Sequence, residues 1–250
     1  MDNVKVSIII PMYNAEKYIT DCLNSVFNQT YPNYEVIVID DNSQDQSVSL
    51  VQTFQTQHDN LILLRNDTNQ GVATTRNLGI QQATGQWIAF LDADDMWLPE
   101  KLNQQINALQ THQAQLCYTS QIFYDDDGKP TKKKFLVKES IDYRSLLKQN
   151  LICLSSAIIK KEFCVKYPFH HANLHEDFIF WLEILRHEKI KTIGLIEPLT
   201  IYRLTKQSKT RNKFKSLIMT YRTYRHLGLN FFQACYYLLC YIVNGVKKYH

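Results

Sequence analysis

Two periods alternate along the first 115 residues. "VKVSIIIPM" is a short apolar run stopped by Pro11, which predicts a buried strand. "AEKYITDCLNSVFNQ" places apolar residues at Tyr18, Ile19, Cys22, Leu23, Val26 and Phe27, a helical stripe. "YEVIVID" predicts a second buried strand, and "SQDQSVSLVQTFQTQ" a helix with Ser43 as its N-cap. "NLILLRN" predicts a third strand, and "GVATTRNLGIQQAT" a helix closed by Gly85. "QWIAFLD" predicts a fourth strand. The helix in "LPEKLNQQINALQTH" follows it, with Pro99 and Glu100 in its first turn. The β-α repetition implies a mostly parallel sheet with helices on both faces. Ligands of such sheets bind outside the carboxyl ends of the strands.

After Leu116 the periods loosen. "LCYTSQIFY" predicts a strand and "DDDGKPTKKK" a turn, read as a solvated hairpin tip because Asp127-Gly128 is a strong turn signal. "CLSSAIIKK" is a strand or strand edge, "HEDFIFWLEILRHE" starts a helix, and "KTIGLIEPLTIYRL" gives one or two strands broken at Pro198. From about Ser208 the chain is helical, basic and then apolar.

Three polar clusters fall where the pattern ends a strand or starts a helix. In "IDDNS", Asp40 and Asp41 exceed what a helix cap needs. Carboxylates at a sheet crest can accept hydrogen bonds from a nucleobase imide or ribose hydroxyls, although a polar strand end explains them too. In "LDADDMW", Asp92 and Asp94 are two residues apart and share a side if extended. That pairing suits a hard cation such as Mg²⁺ or Mn²⁺ bridging to substrate phosphates. The competing reading is a solvated acidic turn in which Asp95 caps the next helix. In "HEDFIFW", Glu176 and Asp177 either complement the helix dipole or offer a general base. His170, His171 and His175 nearby lack an established metal-ligand spacing.

The last acid in the chain is Glu197, and the segment from Pro198 to His250 holds ten Lys/Arg. A basic tail on an acidic body suggests an anionic partner. The six cysteines form no CxxC pair and read as buried reduced thiols. "MDNVKVSIII" lacks the basic region of a signal peptide, and no apolar stretch reaches the ~18 residues of a spanning helix. No GxGxxG follows a strand, which argues against a dinucleotide oxidoreductase. A phospho-receiver domain would carry its acid pair after the first strand, whereas here it follows the second.

Together the blocks "SIIIPMYNAEKYITDCLNSVFNQTYPNYEVIVIDDNSQDQS", "NQGVATTRNLGIQQATGQWIAFLDADDMWLPEKL", "HEDFIFWLEIL" and "YRLTKQSKT" resemble the family 2 glycosyltransferases, over roughly residues 4–210. The resemblance implies a GT-A (Rossmann-like) α/β fold: a mixed, mostly parallel sheet flanked by helices, with a C-terminal helical extension. It implies a glycosyltransferase domain at 1–207, divided into a nucleotide-binding half (1–115) and an acceptor half (116–207), and a tail at 208–250. It implies a nucleotide-diphosphate-sugar donor (UDP-sugar favoured), a divalent metal (Mn²⁺ or Mg²⁺), inversion at the anomeric carbon and a saccharide or lipid-linked acceptor. By position, Pro11, Tyr13 and Glu16 would line the nucleotide pocket. Asp41 would bind the base with Asp40 beside it, and Arg76 would lie near the nucleotide. Asp92 and Asp94 would be the ribose and metal acids. Asp177 would be the catalytic base, with Glu176 alongside. Many relatives carry a His two residues after the "YR"; here that residue is Thr205, leaving Lys206 or Ser208 to touch the phosphates. A non-catalytic sugar-nucleotide-binding or scaffold protein of the same fold is the alternative.

The tail joins basic residues to the aromatic-rich run Phe231–Val246. Sixteen helical residues rise only ~24 Å, short of a ~30 Å hydrocarbon core. Tyr236, Tyr237, Tyr241, Lys247 and Lys248 suit an interface. The tail therefore reads as an attachment to the inner face of a membrane, with a helical hairpin packed on the domain or on a second copy as the competing reading. The expected location is cytoplasmic and peripheral, with no nucleic-acid partner.

Overall fold

The computed structural model describes residues 4–170, 174–205 and 213–247. Four parallel strands open the chain: β1 (Val6–Met12), β2 (Tyr34–Asp40), β3 (Leu61–Arg65) and β4 (Trp87–Phe90). Between them run α1 (Ile19–Phe27), α2 (Ser47–Gln55) and α3 (Val72–Gln82). The short β5 (Met96–Trp97) and α4 (Lys101–His112) follow. The strands form because they are continuous apolar runs, and alternation serves both faces at once. Ile8, Ile10, Val36 and Val38 enter the core under α1, α2 and α4, while Ile9, Ile37 and Ile39 enter the core under α3.

The remaining elements complete one mixed sheet. They are β6 (Leu116–Tyr124), β7 (Pro130–Phe135), α5 (Tyr143–Lys148), β8 (Ile158–Lys160), α6 (Lys161–Lys166), α7 (Glu176–His187) and β9 (Thr192–Arg203). The order is β3-β2-β1-β4-β8-β6-β9-β5, with β7 on β6. β8 pairs antiparallel with β4 and β6, and β9 runs parallel to β6. The predicted break at Pro198 is a shift in the β6–β9 register inside a single strand. The helical hairpin α8 (Lys213–His226) and α9 (Phe231–Lys247) ends the described chain. One face of it packs on the domain: Tyr224 is buried and its hydroxyl donates to Leu147 O, and Arg186 donates to Leu227 O.

Several local expectations need correction. Ser43 does not cap α2, which starts at Ser47; its hydroxyl accepts the Asn14 N–H instead. Pro99 and Glu100 precede α4 rather than forming its first turn, Glu100 being the N-cap. Gly85 is not a left-handed helix stop. A Cβ there would lie 2.7 Å from Lys5 O and 2.8 Å from Ser7 N, so close approach to β1 is what requires glycine. The "DDDG" tip is not simply solvated. Gly128 turns with φ +80°, and Asp126 accepts from Tyr18 Oη at 2.5 Å and Lys17 Nζ at 2.8 Å, pinning the hairpin to the start of α1. All six cysteines are free; Cys22, Cys117 and Cys164 are buried, and Cys153, Cys235 and Cys240 are partly so.

Candidate active site

The carboxyl ends of β1, β2 and β4 meet at one crest. At the end of β1, Pro11 is buried within the strand and pairs with Ile39, while the Tyr13 ring is half exposed. Asn14 and Asn42 have φ of +47° and +66°, the left-handed region that Asn tolerates best among non-glycine residues. Two bonds from this left-handed pair of turns lock the loops together: Asn14 N to Ser43 Oγ, and Gln44 N to Asn14 Oδ1. Glu16 joins the same lock by accepting the Gln46 N–H at the start of α2.

Asp40 and Asp41 divide their work. Asp40 is fully buried and accepts from Ser43 N and Arg65 Nε, so it holds its own turn. Asp41 reaches across to the next loop. Its carboxylate accepts from Asn66 Nδ2, Gln70 N and Gly71 N, each at 2.8 Å. It thus places a negative charge on the free N–H groups at the start of α3. Three of roughly four acceptor positions on the carboxylate are occupied, leaving room for one more donor.

After β4 the three acids separate in role. Asp95 is buried; it accepts from Ser155 Oγ at 2.6 Å and from Arg203 N at 3.0 Å. It ties the end of β4 to the loop before β8 and to the end of β9. Burial, with Asp94 and Asp92 nearby, pushes its carboxyl well up, toward the neutral form. Asp92 is paired with Arg76. The Asp94 carboxylate takes no hydrogen bond from another described residue, only one from its own backbone, while its backbone carbonyl accepts from Arg203 Nε at 3.1 Å. Burial and repulsion from Asp92 push Asp94 up to about 6. An acid held half-buried beside a second acid, with no hydrogen bond from another described residue, is a fitting donor for a hard cation.

Arg76 joins this crest to the remaining acids. It leaves α3 with its guanidinium buried, donates to Asp92 Oδ1 at 2.6 Å, and reaches Glu176 Oε1 at 3.4 Å. Its plane lies over Phe169, 5.4 Å from the ring centroid. So "TTRN", "LDADD" and "HED", far apart in sequence, converge on one cation. Asp177, beside Glu176 in the first turn of α7, accepts from Asn150 Nδ2 at 3.0 Å and from its neighbour Phe178 N at 2.8 Å. Burial and then Glu176 raise its pKa, and the Asn150 bond opposes them.

Three positioning residues escaped the sequence reading. Arg203, in "YRL", is buried; besides Asp94 O it reaches Asp21 Oδ2 at 2.9 Å and stacks on Tyr18. Asn150 and Ser155 have no local signal, because their partners come from other elements. Thr205 donates its N–H to Arg203 O, and Lys206 and Ser208 lie outside the described residues. The histidines are not one set. His170 meets Glu183 and His226, with ligand atoms within 4.8 Å of one another. His175 contacts Ser216 O, and His171 lies outside the described residues.

The model for Glycosyl transferase family 2 matches residues 7–165, which include every crest acid up to Asp95. The chain belongs to glycosyltransferase family 2. It is an enzyme of the glycosyltransferase class with the GT-A fold. This family 2 glycosyltransferase is 35% identical to an Escherichia coli protein, the UDP-Glc:alpha-D-GlcNAc-diphosphoundecaprenol beta-1,3-glucosyltransferase WfgD, over 100% of this chain and 96% of that one. Among solved structures it is similar to S. aureus TarS 1-349 in complex with UDP-GlcNAc, with a TM-score of 0.73 at 23% identity. That match covers 89% of this chain and 65% of the TarS chain. A mannosyltransferase, PcManGT from Pyrobaculum calidifontis in complex with GDP-Man and Mn2+, matches with a TM-score of 0.69 at 18% identity, over 89% of this chain and 63% of that one.

Proposed function

We propose that this enzyme transfers a sugar, with inversion, from a UDP-sugar to a lipid-linked saccharide in the synthesis of a surface polysaccharide. The observation that carries the reading is the Asp94 carboxylate, which takes no hydrogen bond from another described residue, beside Asp92, while Arg76 ties Asp92 to Glu176 in the first turn of the helix that bears Asp177. The full-length similarity to WfgD supports the donor and acceptor class. Pro11, Tyr13, Glu16, Asp40 and Asp41 form the nucleotide side. Asp40 and Glu16 act by fixing the loops, Asp41 by its remaining acceptor position, and Tyr13 by its exposed ring.

Asp94 and Asp92 would hold a divalent cation, Mn²⁺ or Mg²⁺, which when bound supplies charge neutralisation of the leaving diphosphate. The chain's own residues do the rest. Asp177 accepts the proton of the acceptor hydroxyl as that oxygen bonds to the anomeric carbon. The bond from that carbon to the diphosphate oxygen breaks on the opposite face, so configuration inverts without a covalent intermediate. A carboxylate whose pKa is raised toward the working pH is a better base, and such help is worth roughly 10²–10⁴ in rate. Asn150 keeps the base aimed.

The test is a panel of UDP-, GDP- and dTDP-sugars with Mn²⁺ and a synthetic sugar-diphospho-lipid acceptor. Turnover with a UDP-sugar, lost in Asp94→Asn and in Asp177→Asn, is the expected outcome. Full activity in either variant overturns the assignment, and donor binding without turnover on any acceptor favours a scaffold.

A further inference from the structure

The helix α9 has two apolar faces, and the described residues cover only one. Ala234 is buried, and Tyr237, Leu238 and Tyr241 pack against the domain core. On the other side Phe232, Tyr236, Leu239 and Val243 are all more than half exposed. Their spacing of four, three and four residues makes them a single stripe along the helix. Phe231 and Ile242 widen it on one flank. A stripe of large apolar side chains in water is an interaction site rather than a scattered surface.

We propose that this outer face of α9 docks on an anionic lipid bilayer, with the helix lying in the plane of the interface. Charge complementarity selects that occupant. The chain has no Asp or Glu after Glu197, and α8 of the same hairpin exposes Arg222 and Arg225. No described helix is long and apolar enough to cross a membrane, which leaves the face to lie on one. Phe and Tyr on the stripe suit the depth at which headgroups meet acyl chains.

The docking would also orient the site. The inner side of α9 is fixed to the machinery: Tyr241 lies 6.1 Å from the ring of Phe178, the residue after Asp177, and Asn244 donates to Lys148 O at the end of α5. Two residues on, Asn150 holds Asp177. One helix, about 10 Å across, therefore lies between the docking face and the residue next to the base. The use of that placement rests on the proposed lipid-linked acceptor; the docking itself does not.

Co-sedimentation of the full chain with vesicles tests it. Wild type is expected to pellet with phosphatidylglycerol/phosphatidylcholine vesicles and at least tenfold less with phosphatidylcholine alone. F232S/Y236S/L239S/V243S is expected to lose at least tenfold in binding, while its turnover on a water-soluble short-chain acceptor stays within twofold. R222E, which leaves the stripe intact, is expected to lose preference for the anionic vesicles. Wild type remaining in the supernatant, or the four-serine variant pelleting equally, overturns the proposal. So does a wild-type dimer that ignores vesicles and becomes monomeric in the variant, because the face then joins two copies. Vesicle binding without turnover on any acceptor would remove the proposed function and leave the docking face standing.

Discussion

Arg76 donates to Asp92 at 2.6 Å from inside the protein, and the same guanidinium reaches Glu176 at 3.4 Å. This ion pair is the physical link between the strand-end acids and the helix that bears Asp177. Arg76→Met keeps the apolar stem but leaves two acids unpaired at the crest. Breaking a buried ionic contact costs about 3–5 kcal/mol, and partial exposure of Asp92 places the expected loss toward the lower figure. Urea denaturation measures it. In protein that stays folded, kcat/KM is expected to fall at least 100-fold, about 2.7 kcal/mol in the barrier. Arg76→Lys retains a charge but not the fork, and should recover stability more than activity.

Asp94 and Asp95 are neighbours with opposite sensitivities. Asp94→Asn breaks no hydrogen bond with another described residue, so its melting temperature should stay at or above that of wild type, while stabilisation by Mn²⁺ disappears. Asp95→Ala strands the Ser155 hydroxyl and the Arg203 N–H, and is expected to cost about 1–3 kcal/mol. Asp95→Asn should be tolerated, because burial already favours the neutral carboxyl that Asn imitates. Thermal shift with and without Mn²⁺ separates the three. An Asp94→Asn protein that still responds to Mn²⁺ removes Asp94 from the cation site.

Much of this site was legible because its acids sit at the ends of apolar runs. Buried parallel strands leave a strong signal, so β1, β2 and β4 could be placed and their polar ends with them. What escaped depends on contacts between distant segments. Ser43 looked like a helix cap, but the Asn14 N–H arriving from the β1 end claimed its hydroxyl. Asp126 looked solvated until α1 brought Lys17 and Tyr18 against it. Asn150, Ser155 and Arg203 each serve an acid 27 to 109 residues away, a separation no local pattern records.

Asn150 offers a pH-sensitive test of the base. Its amide favours the ionised form of Asp177 and so holds the pKa down against burial and Glu176. Asn150→Ala should therefore raise that pKa. Activity that needs the carboxylate is lost as pH falls through it, so the acid limb of kcat/KM should move to higher pH. A drop in kcat of about tenfold with little change in donor KM is expected, the mark of a positioning residue. An unshifted acid limb assigns it to another group.

Glu35 supplies a stability test remote from the chemistry. This buried carboxylate takes Lys5 Nζ at 2.8 Å, Ser7 Oγ at 2.5 Å and Thr84 N at 2.6 Å, stitching β1 and β2 to the loop before β4. Burial alone would raise its pKa. The hydrogen bonds from Lys5, Ser7 and Thr84 outweigh burial and bring it to about 2. A depressed folded-state pKa gives stability that is full above the ordinary value, about 4.5, and is lost as pH falls toward 2. At pH 7 Glu35→Gln should therefore cost about 2–3 kcal/mol, since the amide cannot accept as many bonds. The gap between variant and wild type should close as pH is lowered from about 4.5 to about 2. Urea midpoints across that range measure the gap. A gap that is constant with pH would mean that packing, rather than the ionised carboxylate, accounts for what Glu35 contributes.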